Sequence, residues 1–276
     1  MNYVFFGTPR FAEVVLKKLI EEGMPPSFVV TNPDRPLGRK HILTPPPAKV
    51  VAEEHHIPVF HPETLSDLKS EIRNADFAVL ASYGKIIPKE IIDLFPKGII
   101  VVHGSLLPRY RGATPIQTAL LNGDPTTGIT LLLMDEQVDH GKILSKVELK
   151  ISEGDSYVSL IEKLAEMSAE LILKTVPEYL AGKIVPQEQN HSEATFTKKS
   201  QTENGFVTWD NLREAETKGG EEAIKIDRMI RALNPDPGVY TLKENKRIKL
   251  LEAKLENGKL KITTLQEEGK KPRIVK

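Results

Sequence analysis

The chain has 276 residues, more than one domain usually holds, and 39% of them are hydrophobic, which is enough for a real core and points to two domains. Lys and Arg number 38, as do Asp and Glu, so a formal charge of zero argues against a broadly adhesive nucleic-acid binder. The absence of cysteine excludes disulfides, thiolate metal sites and a cysteine nucleophile, and fits a reducing compartment.

The opening Met1-Asn-Tyr-Val-Phe-Phe-Gly7 runs straight into a strand with no basic leader, and no apolar run approaches the ~20 residues that span a bilayer. A soluble cytoplasmic protein, with no membrane partner, is the expectation. Residues 3–7 read as a strand and 10–22 as an amphipathic helix, with Phe11, Val14, Leu16, Leu19 and Ile20 near one face. With a second strand at 27–31 this makes a βαβ opening. The turn Phe6-Gly-Thr-Pro9 lacks Gly-x-Gly-x-x-Gly, so a dinucleotide cofactor is a poor reading. From Asn32 to Lys49 the chain carries Arg35, Arg39, Lys40 and Lys49 among five prolines, which predicts a stiff, non-helical loop of a length usually reserved for function.

Further strands are expected near 77–81, 99–102, 128–134 and 143–151, and helices near 47–55, 64–74, 88–94 and 115–121. That alternation predicts an α/β fold on a mostly parallel sheet. Ser156 to Leu180 reads as a long covering helix that Pro177 kinks or ends, and the polar stretch Ala181 to Lys199 as a linker. The predicted division is therefore 1–188 and 199–276. In the second part a short helix between Trp209 and Leu233 precedes the breaker Asn234-Pro-Asp-Pro-Gly238, and short alternating strands then suggest a small barrel. Residues 241–276 hold eleven Lys or Arg against five Glu, a basic appendage suited to steering a phosphate backbone.

The chemistry concentrates in two stretches. Ile99-Ile-Val-Val102 is a buried strand, so His103 emerges at its carboxyl end, where open α/β sheets place ligands. The loop Gly104 to Gly112 follows, in which Ser105 offers a hydroxyl and Pro108 stiffens the approach to Arg109 and Arg111. A second apolar run, Gly128 to Met134, ends in a turn crowded with Asp135, Glu136, Asp139 and His140 and closed by Gly141. A solvated acidic turn is the bland alternative, and a metal site is weaker than proton transfer because compact ligand spacings are missing. His103 and a carboxylate of this turn are the expected proton-handling pair.

These stretches, together with Phe6-Gly-Thr-Pro9, Asn32-Pro-Asp-Arg-Pro-Leu-Gly-Arg39, Ser82-Tyr-Gly-Lys-Ile-Ile-Pro88 and Ile230 to Gly238, occur in an order that resembles the formyltransferases that use 10-formyltetrahydrofolate. The likeness runs nearly end to end and is greatest to the branch acting on initiator methionyl-tRNA. It implies a Rossmann-like sheet followed by a small OB-like domain, trimmed or open because Leu255 to Lys261 joins two strands almost directly. It also implies reduced folate as co-substrate; no metal, and a monomer, are the accompanying expectations. By the same resemblance Tyr83, Gly84, Ile86, Ser105, Leu106, Leu107 and Pro108 help form the folate pocket, and Arg35, Arg39 and Lys40 approach the tRNA. His103 and Asp139 match the family's catalytic histidine and aspartate. The family's catalytic asparagine position is occupied by Val101, which has no donor for a developing oxyanion; weakened turnover is the expectation. An amino-sugar formyltransferase, or a folate- or tRNA-binding protein without efficient catalysis, are the competing readings; a purine-pathway formyltransferase would not need the second domain.

Overall fold

Tyr3–Gly7 (β1) is buried at all five positions, as a strand must be when helices cover both faces of its sheet. The computed structural model describes residues 1–276 apart from Arg39, Lys40 and Lys276, and describes only the backbone of Leu37. After β1 comes helix α1 (Arg10–Glu21), which buries Phe11, Ala12, Val15, Leu16 and Leu19 as one stripe. Strand β2 (Phe28–Val30) completes the βαβ unit, lying parallel to β1.

The stretch expected as an irregular loop contains a hairpin. Strands β3 (Arg35–Leu37) and β4 (Ile42–Thr44) pair antiparallel from Arg35↔Thr44 to Leu37↔Ile42. The proline at 36 favours extended backbone, and Gly38 supplies the positive φ of 68° that turns the chain. Helix α2 (Pro47–Glu54) and strand β5 (Val59–Phe60) follow. The helix expected over 64–74 is split into a 3-10 turn, Leu65–Leu68, and a short α3 (Lys69–Ile72), because Leu68 leaves helical geometry at φ −105°, ψ 11°. Next come β6 (Phe77–Ala81), α4 (Lys89–Ile92), β7 (Ile99–His103), β8 (Arg111–Gly112), α5 (Pro115–Asn122), β9 (Thr126–Leu133) and β10 (Ile143–Lys150). Helix α6 (Tyr157–Leu180) carries Pro177 inside it and continues to Leu180 rather than ending there.

Seven strands form the central sheet in the order β10-β9-β7-β6-β1-β2-β5. From β7 to β5 the pairs are parallel, whereas β9 runs antiparallel to β7. The registers Gly7↔Ala81 and Ala81↔Val102 align the carboxyl ends of β1, β6 and β7, so the chain leaves all three strands at one edge. Phe6 anchors the core on one face, meeting the Tyr83 ring at 5.4 Å and the Phe95 ring at 6.3 Å, both edge-on.

The remaining elements are β11 (Phe196–Thr197), α7 (Trp209–Thr217), α8 (Glu221–Leu233), β12 (Tyr240–Lys243), β13 (Lys246–Glu256), β14 (Lys259–Glu267) and β15 (Arg273–Ile274). The one short helix expected before the breaker is thus two. Gly219 and Gly220, at φ 80° and 75°, separate them, and a Cβ on Gly219 would lie 2.2 Å from the Gly258 carbonyl oxygen. The strands predicted as a small barrel form an open antiparallel meander, β12-β13-β14-β15.

In space the chain divides into two units. One takes Met1–Arg111, Gly128–Leu149 and Ile161–Phe196, the other Gly112–Thr127, Lys150–Leu160 and Thr197–Lys276. The second unit therefore draws α5 from the amino-terminal half of the sequence and packs it on α8. No helix among the described residues is long and apolar enough to cross a membrane.

Candidate active site

His103 closes β7, a strand buried at every position, and its side chain is only 6% exposed. Its Nδ1 lies 3.4 Å from Oδ2 of Asp139, and its Nε2 donates to the Tyr110 carbonyl at 2.9 Å. Two distant stretches of sequence therefore meet as the pairing of a strand-end imidazole with a carboxylate predicts. Asp139 reaches this place by an unusual backbone: its φ is 49°, the left-handed region, which costs a residue with a Cβ of order 1 kcal/mol or more. The turn is closed by Gly141, where a Cβ would sit 1.8 Å from the Leu133 carbonyl oxygen. Only glycine passes there without a shift.

The other groups of this turn are occupied elsewhere. Asp135 accepts from the Gln137 backbone at 2.9 Å and from His140 Nδ1 at 2.7 Å, so the two aspartates serve different histidines. The His140 ring stacks on His191, with centroids 4.1 Å apart and planes within 1°. Arg111, 3% exposed, donates to His191 Nδ1 at 2.8 Å and to Gln189 Oε1 at 2.7 Å. Among the described residues no group of three or more His, Cys, Asp or Glu is placed to hold a metal ion.

The loop after His103 is held by internal bonds. Thr130, opposite His103 on β9, donates to the Ser105 carbonyl at 2.7 Å and accepts from the Leu107 N–H at 3.1 Å. The Ser105 hydroxyl donates to the Arg109 carbonyl at 2.6 Å, so its proton is spent within the loop rather than turned toward a ligand. Lys146 donates to the Leu107 carbonyl, and burial lowers the pKa of its ammonium. Leu106 packs where any side chain at Gly128 would stand, its Cδ2 being 2.6 Å from an added Cβ. Leu107 is buried, and the peptide joining it to Pro108 is cis. Val101 lies with Leu107, Leu132 and Ile143 in an apolar cluster, 7% exposed, and brings no donor to the site.

At the end of β6, the Tyr83 carbonyl accepts from Asn32 Nδ2 at 3.0 Å and from Thr8 Oγ1 at 3.3 Å, tying three strand ends together. The Tyr83 ring is not part of an open surface: it is 1% exposed, its hydroxyl has no partner among the described residues, and burial pushes its pKa up to about 12. Gly84 follows at φ 82°, and Ile86 is 92% exposed. A cleft of about 390 Å³, lined by Lys89, Ile92, Asp93, Met134, Glu136 and Gln137, opens beside α4. Of the basic residues expected to meet a polyanion, Arg35 is exposed on β3, while Arg39 and Lys40 lie outside the described residues. The second unit has its own cavity, about 790 Å³, whose walls include Thr118, Lys198, Lys199, Asn204, Phe206 and Lys225.

Sequence reasoning did not find Thr130, Lys146 or Gln189. Thr130 reads as one more β-branched residue in an apolar strand, and Gln189 belongs to no motif; neither carries a local signal of its long-range partners.

The family model described as "Formyl transferase" matches residues 1–176, and "Formyl transferase, C-terminal domain" matches 199–274. A protein named methionyl-tRNA formyltransferase from Bacillus mycoides is 43% identical over 255 residues, 91% of this chain and 78% of that one. A protein of the same name from Bacillus thuringiensis subsp. konkukian is 44% identical over 246 residues, covering 87% and 75%. Among solved structures, a methionyl-tRNA formyltransferase from Clostridium thermocellum aligns over 100% of this chain and 99% of its own, with a TM-score of 0.63 at 20% identity. A Helicobacter canadensis N-formyltransferase in complex with folinic acid and dTDP-3-aminofucose aligns over 92% and 88%, with a TM-score of 0.68 at 18% identity. At those identities the two structures speak to the fold.

Proposed function

The chain belongs to the formyl transferase family, with methionyl-tRNA formyltransferases as its relatives, and from that premise we propose that it transfers the formyl group of 10-formyltetrahydrofolate to the α-amine of initiator methionyl-tRNA. The observation that carries this reading is the His103–Asp139 pair at the carboxyl edge of the parallel strands. The amine nitrogen attacks the formyl carbon, a C–N bond forms, and the carbonyl electrons move onto oxygen. Collapse of this tetrahedral species breaks the bond from carbon to N10 of the folate, and the proton lost by the amine passes to N10. Nε2 of His103, exchanging the Tyr110 carbonyl for the reacting centre, moves that proton and donates to the oxyanion; Asp139, at Nδ1, orients the ring. No metal takes part.

Position 101 supplies nothing to the oxyanion. Loss of one such donor costs about 2.7–4 kcal/mol, or roughly a hundred- to a thousand-fold in rate, so slow turnover is part of the proposal. The cleft beside α4, at about 390 Å³, lies in the usual size range for small ligands, roughly 300–1,000 Å³, and we assign it with Gly84, Ile86 and Leu106 to Pro108 to the folate. Arg35, Arg39, Lys40 and the lysines of the second unit's cavity are assigned to tRNA phosphates. The enzyme acts as a cytoplasmic monomer.

The test is direct: protein, 10-formyltetrahydrofolate and charged initiator tRNA are mixed, and formylmethionyl-tRNA is measured. Product that disappears with His103→Ala and with Asp139→Ala supports the proposal. If the folded wild-type protein binds folate and tRNA yet makes no product, the chain is a binding member of the family instead. If a dTDP-amino sugar is formylated in preference to methionyl-tRNA, the substrate assignment is wrong.

A further inference from the structure

Asp139 faces His103 from a left-handed backbone, φ 49°, a conformation that aspartate visits more readily than most residues with a Cβ. Locally the turn is closed by Gly141, which alone fits against the Leu133 carbonyl. A further grip on the turn comes from fifty residues away. One amide nitrogen, Nε2 of Gln189, donates to the Asp139 carbonyl at 2.9 Å and to the Gly141 carbonyl at 2.8 Å, spanning the bend from both sides. The orientation of that amide is set in turn, because Oε1 accepts from Arg111 at 2.7 Å and so directs both N–H groups at the carbonyls. Gln189 is 6% exposed, and its segment is anchored where Gln187 exchanges backbone hydrogen bonds with Ile143 at 2.7 and 2.8 Å.

The geometry points to Gln189 as the positioning residue of the Asp139–His103 pair. It touches neither the imidazole nor any place assigned to a substrate; it acts by fixing where the carboxylate stands. The inference rests on the proposed transfer reaction for its kinetic consequence, but not for its structural one.

Gln189→Glu separates positioning from packing. The carboxylate has the same shape and keeps the partner in Arg111, yet it has no proton for the two carbonyls and repels them. Turnover, kcat, should fall at least ten-fold, with KM for folate and for tRNA each within two-fold, in a protein that stays folded although the two lost hydrogen bonds lower its thermal midpoint. Gln189→Met is the second variant, should the first fold poorly, and the same kinetic split is expected. A readout free of substrates accompanies both: the ring ¹⁵N resonances of His103 in the full-length protein should move, while those of exposed His61 stay in place. Unmoved His103 resonances, or kcat within two-fold of wild type in a folded variant, would overturn the assignment. If wild type makes no formylmethionyl-tRNA, the reaction proposal fails, and the His103 resonances still decide the role of Gln189.

Discussion

At position 101 the surroundings are apolar: Leu107, Leu132 and Ile143 pack on Val101, with Leu80 and Met134 at the border. Val101→Asn should raise formyl transfer by about a hundred-fold, with little change in substrate affinity, because an oxyanion donor acts in the transition state. The same change should cost about 1–3 kcal/mol of stability, since the free amide is left without partners in that cluster. Denaturant unfolding beside a transfer assay measures both; a flat rate in a folded variant means another group already serves the oxyanion. Tyr83 presents the reverse case, a buried hydroxyl without a partner. Removing it as Tyr83→Phe should leave stability unchanged or raise it by up to about 1–3 kcal/mol. Because the folded pKa of Tyr83 is raised to about 12, its contribution is complete below the unfolded value near 10 and is lost as pH climbs through 12, so the phenylalanine variant should lose less stability in alkali. Unfolding midpoints between pH 9 and 12 test this, and an unchanged folate Kd would remove the hydroxyl from the folate pocket.

At the scale of single elements, β9 does more than extend the sheet. Its Thr130 hydroxyl holds both the Ser105 carbonyl and the Leu107 N–H, and thereby the path of the loop after His103. Thr130→Val keeps the shape and strands both groups, so a loss of about 1–3 kcal/mol is expected, with transfer reduced as the loop shifts. The turn that follows β9 depends on Gly141 in the same way. A methyl group there meets the Leu133 carbonyl oxygen at 1.8 Å, so Gly141→Ala must displace either the strand end or the turn bearing Asp139. Transfer should fall more than ten-fold, the equivalent of about 1.4 kcal/mol in the barrier, while folate binding is retained. An active Gly141→Ala protein would show that the position of Asp139 is less critical than proposed.

Across the whole molecule the charges cancel; within residues 241–276 Lys254 and Lys261 meet Glu256, and Lys270 and Arg273 meet Glu267, two of the five Glu that leave this stretch its basic surplus. Such exposed pairs add little stability. The surplus itself remains, so the expected tRNA contacts include this stretch as well as Arg35 and the Lys198, Lys199 and Lys225 cavity. Binding of initiator tRNA should weaken with salt by about 0.9 in the log-log slope for each duplex phosphate neutralised, and Arg35→Ala should reduce that slope by about one. A salt-independent affinity, or an Arg35→Ala slope equal to wild type, would take this hairpin out of the tRNA site.

The order of β1, α1, β2, β6 and β7 was legible because buried parallel strands and amphipathic helices write their periods directly into local sequence, and His103 could be placed at a strand end for the same reason. The Asp139 turn was legible as a turn, since Gly141 and a run of acids mark one. Local sequence could not say which of Asp135 and Asp139 faces His103; the likeness to the family chose Asp139, and in the structure the choice depends on a left-handed φ and a chain returning fifty residues later. The hairpin at 35–44 and the break at Gly219-Gly220 escaped for a related reason: short strands and helix ends are decided by pairing partners as much as by their own residues. Tyr83, polar at one end, could be read as lining a pocket until the packing of Phe6 and Phe95 buried it. What the sequence by itself determined were the elements, their alternation and the chemical types at the sheet edge. Only tertiary structure decided the network through Gln189, Arg111, Thr130 and Lys146, because a hydrogen bond between distant residues leaves no period in the chain that makes it.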